Sequence, residues 1–382
     1  MKRHRVLVLG AGMIGNTIAD DLSRSDRLEV TVADINKQVL HDMQVANPRL
    51  NVTRQNLTDP AAIRAMADEA DIVVGALPSR MGRAALEAVI AAGTNYVDIS
   101  FMSEDALELD DLARAGGVTA VTDCGVAPGL SNLLVGYAAD QLAEVDEVRV
   151  YVGGLPVTRH WPYEYKAGFA PHDVIEEYTR PTRIIRNGSP VEVPALTEPE
   201  TLEIEGLGSV TAFLTDGLRS LMQTIPATNM VEKTIRYPGH CELMAVLRHM
   251  GLFSSDTIAV GPDRTEVRPI DVTSALLFPQ WTFTQHEEDL TIMRIHVSGR
   301  DGHGETRVFE WDLLDRYDQD SGTRSMSRCT AFPAAITAQL ILDGRFERPG
   351  VCAPEMMAQN QDVFDHIMSE LKQRGVVLTE SH

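Results

Sequence analysis

The residues Arg5-Val6-Leu7-Val8-Leu9 run directly into Gly10-Ala11-Gly12-Met13-Ile14-Gly15, and no other stretch of the chain restricts its fold as much. An apolar run of this length fits a strand buried on both faces of a parallel sheet. The apolar spacing of Ile18, Ala19 and Leu22 then continues as a helix. In such a strand–turn–helix unit Gly10 makes the tight turn and Gly12 lets the backbone approach a pyrophosphate. Gly15 lets the helix pack close to the sheet. The pyrophosphate would rest on the free N–H groups at the positive end of the helix dipole, with Met13 and Ile14 in the same turn. A second strand, Leu28 to Ala33, ends in Asp34, at the spacing expected for the acidic residue that binds the adenosine ribose. A carboxylate there accepts from both ribose hydroxyls and repels a 2′-phosphate, which favours NAD over NADP. Its other use would be to cap the helix that follows.

Strand and helix signals go on alternating. Strands are expected at Asn51–Gln55, Asp71–Leu77, Tyr96–Ile99 and Val118–Asp123, and helices at Asp59–Glu69, from the Pro78–Gly82 loop to Ala92, and at Ala106–Ala115. Alternation of this kind predicts a doubly wound, Rossmann-type parallel sheet, with ligands beyond the carboxyl ends of its strands. The turns at Leu77-Pro78-Ser79 and Ile99-Ser100-Phe101, and the loop after Asp123, should therefore face the nicotinamide. Beyond about residue 142 the pattern changes to half-exposed alternating strands, Val145–Val152, Val210–Leu214, Glu232–Arg236, Thr291–Val297 and Thr306–Leu313. The last two flank a hairpin signal at Gly302-His303-Gly304. They predict an inserted α+β domain with a mixed, largely antiparallel sheet for substrate binding and dimerisation. The apolar run Phe332–Leu342, with Asn360–Gln373, should return to the first domain. The expected division is 1–125 plus 331–382 for the dinucleotide and 126–330 for the substrate.

Composition narrows the function classes. A chain of 382 residues with 44% hydrophobic and 23% charged residues is an ordinary globular one. With 34 Lys+Arg against 55 Asp+Glu the formal charge is −21, a field that repels nucleic acid and anionic lipid. No apolar run approaches the ~20 residues that span a bilayer. The basic start MKRHR precedes an apolar run that breaks at Gly10, so a first strand is expected rather than a signal peptide. Four dispersed cysteines, Cys124, Cys241, Cys329 and Cys352, suggest reduced thiols in the cytoplasm and no metal site.

The stretches VLVLGAGMIG, NYVDISFMSED, DCGVAPGLSN, YVGGLP, TDGLRSL and KTIRYPGH occur in order across the chain. Together they resemble the saccharopine dehydrogenase family, in its lysine 6-dehydrogenase-like branch. The resemblance implies a dinucleotide-binding domain with a large insertion, closed by C-terminal helices. It also implies NAD(P)-linked oxidation of an amine carbon: L-lysine and NAD giving the 6-semialdehyde, ammonia and NADH. The chain departs from saccharopine reductases at Ala127, Val152 and Phe101, where they carry Asp, Cys and Tyr. The groups proposed for saccharopine are thus missing, which points to another amine.

Such chemistry requires loss of an ammonium proton before hydride can leave, since an alkylammonium has a pKa of about 10.4. Candidates for acid–base work are Asp123, at a strand end, His240, closing the RYPGH loop, and Lys166, in an aromatic-rich stretch. Asp123 would otherwise cap a helix, His240 bond to backbone and Lys166 stay solvated. For the substrate carboxylate the candidates are Arg219, Arg236 and Arg183, unless ion pairs with neighbours such as Asp216 and Glu232 use them. Cys124 fits a small buried residue better than a nucleophile. The expected partner is a small amino-acid substrate, in a homodimer or dimer of dimers. Alternatives are another amino acid, opine or polyamine precursor, an NAD-dependent lyase or cyclodeaminase without net redox, or a cofactor sensor without turnover.

Overall fold

The structure, a computed structural model, describes residues 3–284 and 287–381. Six parallel strands open the chain: β1 (His4–Leu9), β2 (Leu28–Asp34), β3 (Asn51–Arg54), β4 (Ile72–Gly75), β5 (Asn95–Asp98) and β6 (Thr119–Val121). Nine more follow in the middle: β7 (Glu144–Pro156), β8 (Thr182–Arg186), β9 (Ser189–Val193), β10 (Glu200–Ile204), β11 (Gly208–Leu214), β12 (Ala227–Arg236), the β13 (Ile258–Val260) and β14 (Thr265–Val267) hairpin, and β15 (Asp289–Arg300). β16 (Thr306–Arg316), β17 (Gly350–Cys352) and β18 (Thr379–Ser381) complete the set.

The first sheet has the order β17-β6-β5-β4-β1-β2-β3, all parallel. Its order reverses between β1 and β4, and such a switch point opens a ligand crevice at the strand ends. The second sheet is mixed: β10-β11-β12-β7-β15-β16-β18, with β8 and β9 attached to β12. Among the described residues only its β12–β7 pairing is parallel. The expected fold class is therefore the observed one.

Local chemistry accounts for the boundaries. Asp59 caps the helix Pro60–Ala67, accepting from Ala61 N, and proline sits at its first turn. Gly93 ends Ser79–Ala92 in the left-handed conformation. That helix starts at Ser79, so the loop expected at Pro78–Gly82 is mostly its first turn. β7 runs on through Gly153 and Gly154, where the sequence suggested an end. A side chain at Gly153 would collide with the Ile235 backbone, so glycine here admits a close neighbour rather than a turn. The helix Ser325–Leu342 begins earlier than expected because Asp289 accepts from Ser325 N and Met326 N.

After that helix the chain adds β17 to the edge of the first sheet, beside β6. One apolar core joins Val6, Val8 and Ile18 of the first unit to Val148, Ile295 and Trp311 of the second through Phe332 and Ile336. Truncating buried Phe332 to alanine should cost about 3–5 kcal/mol. No helix among the described residues is long and apolar enough to cross a membrane.

Candidate active site

A cavity of about 440 Å³ opens at the switch point and reaches the second sheet. One end is walled by Gly10, Gly12, Met13, Ile14, Gly15 and Asp34. A Cβ at Gly15 would run into Gly10 O, whereas one at Gly12 meets nothing within 4 Å. Among the described residues no side chain caps the helix Met13–Ser23, so its first N–H groups face the open space above Gly12. Asp34 Oδ2 accepts from Ala11 N at 2.8 Å and Oδ1 from Asn36 N at 2.7 Å, which fixes the carboxylate at the end of β2. Asn36, not Asp34, caps the next helix. The cradle is open, cationic in its dipole and edged by one carboxylate, which fits a dinucleotide.

The turns after β4 and β5 supply Leu77, Pro78, Ser100 and Phe101 to the wall, and the loop after β6 supplies Gly125 to Pro128. Ser79 turns elsewhere: buried, it donates to Asp173 Oδ1 at 2.8 Å and so ties the first unit to the helix Pro171–Thr179. Beneath Ser100 lies Asp98, which accepts from Ser100 Oγ and from Tyr96 Oη at 3.1 Å. Burial pushes its carboxyl up to about 7, against those hydrogen bonds.

The far end is lined by Asp173, Glu177, Asp216, Glu232, Thr234 and Arg236. Glu232, Thr234 and Arg236 alternate on β12 and so share one face. Arg236 is buried, with Nη2 2.7 Å from Glu177 Oε2, Nε 3.1 Å from Tyr178 Oη and its guanidinium over the Tyr165 ring. Burial works against its charge, but Tyr178, Tyr165 and Glu177 outweigh it and raise its pKa. Among the described residues each Nη has one acceptor, so one N–H on each is open to a ligand. Burial raises the Glu177 and Glu232 carboxyls, Glu232 well above the ordinary range.

Of the six expected catalytic and carboxylate-binding residues, Arg236 alone stands in this wall. Asp123 and Arg219 pair behind it, Nε to Oδ2 at 3.3 Å, both with positive φ. Asp123 Oδ1 is buried without a hydrogen-bond partner among the described residues. His240 is buried between Tyr178 Oη at 2.9 Å and Tyr163 O at 2.8 Å. With Nδ1 donating to the carbonyl, Nε2 accepts from Tyr178, whose oxygen accepts from Arg236. Burial, then Arg236, lowers the His240 pKa to about 3, so the ring is neutral and orients Arg236 through Tyr178. Lys166 bonds Thr282 O and Glu287, each at 3.0 Å, away from the cavity. Half-exposed Arg183 pairs with Asp216 at 2.8 Å. Cys124 is buried with its thiol pushed up to about 12, which leaves no thiolate for attack.

Sequence reasoning missed Glu232 and Glu177. The period-two face that carries Arg236 would have pointed to Glu232, and the i,i+4 spacing of Asp173 and Glu177 to one side of a helix.

Two family models account for nearly the whole chain: the saccharopine dehydrogenase NADP binding domain at residues 6–121 and the saccharopine dehydrogenase C-terminal domain at 125–376. The chain belongs to the saccharopine dehydrogenase family. Within this family it is 22% identical to the yeast (Saccharomyces cerevisiae) saccharopine dehydrogenase [NADP(+), L-glutamate-forming], over 98% of each chain. It is also 22% identical to the mouse mitochondrial alpha-aminoadipic semialdehyde synthase, over 98% of this chain but only 47% of that protein, so it spans about half of that relative's length. The carboxynorspermidine synthase of Vibrio cholerae is 22% identical over 96% of this chain and 95% of that one. The solved apo saccharopine dehydrogenase from yeast shares the fold, with a TM-score of 0.79 over 99% of both chains at 21% identity. Phe101, Ala127 and Val152 all stand in the cavity wall.

Proposed function

We propose that this family member is an NAD-dependent oxidoreductase acting at an amine-bearing carbon of a small diamino acid. L-lysine, going to its 6-semialdehyde with ammonia and NADH, is the first candidate. The observation that carries the reading is one cavity with a dinucleotide cradle at one end and a mixed cation–carboxylate wall at the other. A diamino acid brings a carboxylate and two ammonium groups, so it needs both signs, with the cation in the minority.

A bound nicotinamide dinucleotide would supply the hydride acceptor. The Gly10–Gly15 turn and the helix N–H groups would hold its pyrophosphate, and Asp34 its adenosine ribose, in preference to a 2′-phosphate. The free N–H groups of Arg236 would take the substrate carboxylate, oriented by Glu177, Tyr178 and His240. Apolar Ala127, Val152 and Phe101 offer no bonds to the larger, more acidic saccharopine. On this reading residues 1–125 with 331–382 form the cofactor unit and 126–330 the substrate and dimerisation unit of a homodimer.

The test is NADH formation from NAD and a panel of amino acids, diamines and carboxylated polyamines, with ammonia measured alongside. Lysine-dependent NADH with matching ammonia is the expected result. NAD binding without NADH from any amine would contradict the reading. A carboxylated polyamine precursor is the second reading, favoured by the acidic wall and by the relative named carboxynorspermidine synthase. Activity confined to that class would select it.

A further inference from the structure

Four carboxyl groups stand at the far end of the cavity, and three are already engaged. Asp173 accepts from Ser79, Glu177 is paired with Arg236, and Asp216 with Arg183. Glu232 differs. It is 4% exposed and lines the cavity, yet no cation pairs with it among the described residues. Its Oε2 accepts from Thr215 Oγ1 at 2.6 Å, while Oε1 has no hydrogen-bond partner among the described residues. Gly217 lies against the carboxyl: a Cβ there would come within 2.6 Å of Glu232 Cδ, so a side chain at 217 would displace it. Oε1 is not among the buried unpartnered atoms, so it opens onto the cavity, where a ligand can reach it.

The surroundings specify that ligand's charge. Thr215 and Asp216 face Glu232 from the segment after β11, Glu177 from the helix Pro171–Thr179, and Arg236 from its own strand. Burial, with Glu177 and Asp216, raises the Glu232 pKa, and Thr215 and Arg236 oppose this. A cation placed at Oε1 would relieve both the burial and the repulsion, whereas an anion would worsen them.

We propose that Glu232 receives the reacting ammonium group of the substrate and takes its proton, with Thr215 as the residue that positions the carboxylate. An N–H bond of the ammonium breaks, an O–H bond forms at Glu232 Oε1, and nitrogen keeps the electron pair. No electron changes hands in this step. The freed lone pair is what the adjacent carbon needs before hydride can leave it. The assignment rests on the amine-oxidation reading above and adds the residue that makes the amine reactive.

The test counts protons. NADH-loaded protein, in which no turnover can occur, is titrated with L-lysine and with 1,5-diaminopentane by calorimetry in two buffers of different ionisation enthalpy near neutral pH. A cation at Oε1 favours the ionised carboxylate, so amine binding releases whatever proton Glu232 holds. Glu232→Gln should bind NADH normally and release none, and its kcat/KM for amine-dependent NADH formation should fall by about 10²–10⁴-fold. Thr215→Val removes a hydrogen bond that favours the ionised form, so the pH midpoint of release should move up. This variant decides the matter should Glu232→Gln not fold. Proton release unchanged in Glu232→Gln, an unmoved midpoint in Thr215→Val, or no amine binding by the wild type would overturn the assignment. If release depends on Glu232 but the wild type never makes NADH, Glu232 still receives the ammonium group, while the amine-oxidation reading and the base role that rests on it both fall.

Discussion

Arg236 Nη2 lies 2.7 Å from Glu177 Oε2, and both residues stand in the wall of the one cavity that also holds the glycine-rich turn. Arg236 is buried and Glu177 partly so, and removing either member leaves the other's charge uncompensated. Arg236→Gln should raise KM for L-lysine by about 10- to 100-fold, the worth of a lost charge-assisted hydrogen bond. The KM for 1,5-diaminopentane, which has no carboxylate, should change far less. Steady-state kinetics on the two amines checks this, with a thermal melt to measure the cost of leaving Glu177 unpaired.

Cofactor choice is predicted to rest on Asp34, whose carboxylate is fixed by Ala11 N and Asn36 N. Asp34→Ser should weaken NAD binding and strengthen NADP binding, reversing the preference. Fluorescence titration of both reduced cofactors measures it, and an unchanged ratio would remove Asp34 from that role.

How much of this was legible in the sequence depends on how local the signal is. The strand–glycine–helix unit, the Asp59 cap and the Gly93 stop depend on neighbours a few residues away, and all appear where the sequence put them. β8, β9 and β10 went unseen: Pro190 inside β9 and Pro194 just beyond it argue against a strand there. Ser79 points at Asp173, a partner 94 positions away, which no pattern within the turn encodes. Arg219 and Arg183 were reasonable cations by type, but Asp123 and Asp216 use them, and only packing decides that.

His240 is predicted to be silent in pH profiles. With its pKa lowered to about 3 by burial and Arg236, it carries no charge across the working range. The stability linked to it is present above the unfolded value of about 6.5 and is lost as pH falls toward 3. His240→Asn should therefore leave every kinetic pKa in place and raise KM through the loosened Tyr178–Arg236 link. Loss of a limb from the kcat/KM profile would show instead that His240 titrates.

Asp98 gives the opposite sign. Burial raises its carboxyl from 3.8 to about 7, so the unfolded chain loses the proton first. Its contribution is fully present below about 3.8 and disappears as pH rises through about 7, a change of at most about 4 kcal/mol. Asp98→Asn should flatten that part of the stability curve, measured by urea denaturation at pH 5 and pH 8. An equal slope in both proteins would mean that Asp98 ionises normally.

The central claim, that this cavity removes hydride from an amine-bearing carbon, is tested most directly with lysine deuterated at C6. Turnover with NAD should place one deuterium in the reduced cofactor per ammonia released, with the 6-semialdehyde as the other product. Reduced cofactor without deuterium would put the oxidation at another carbon. No reduced cofactor, from lysine or any other amine, would contradict the account itself.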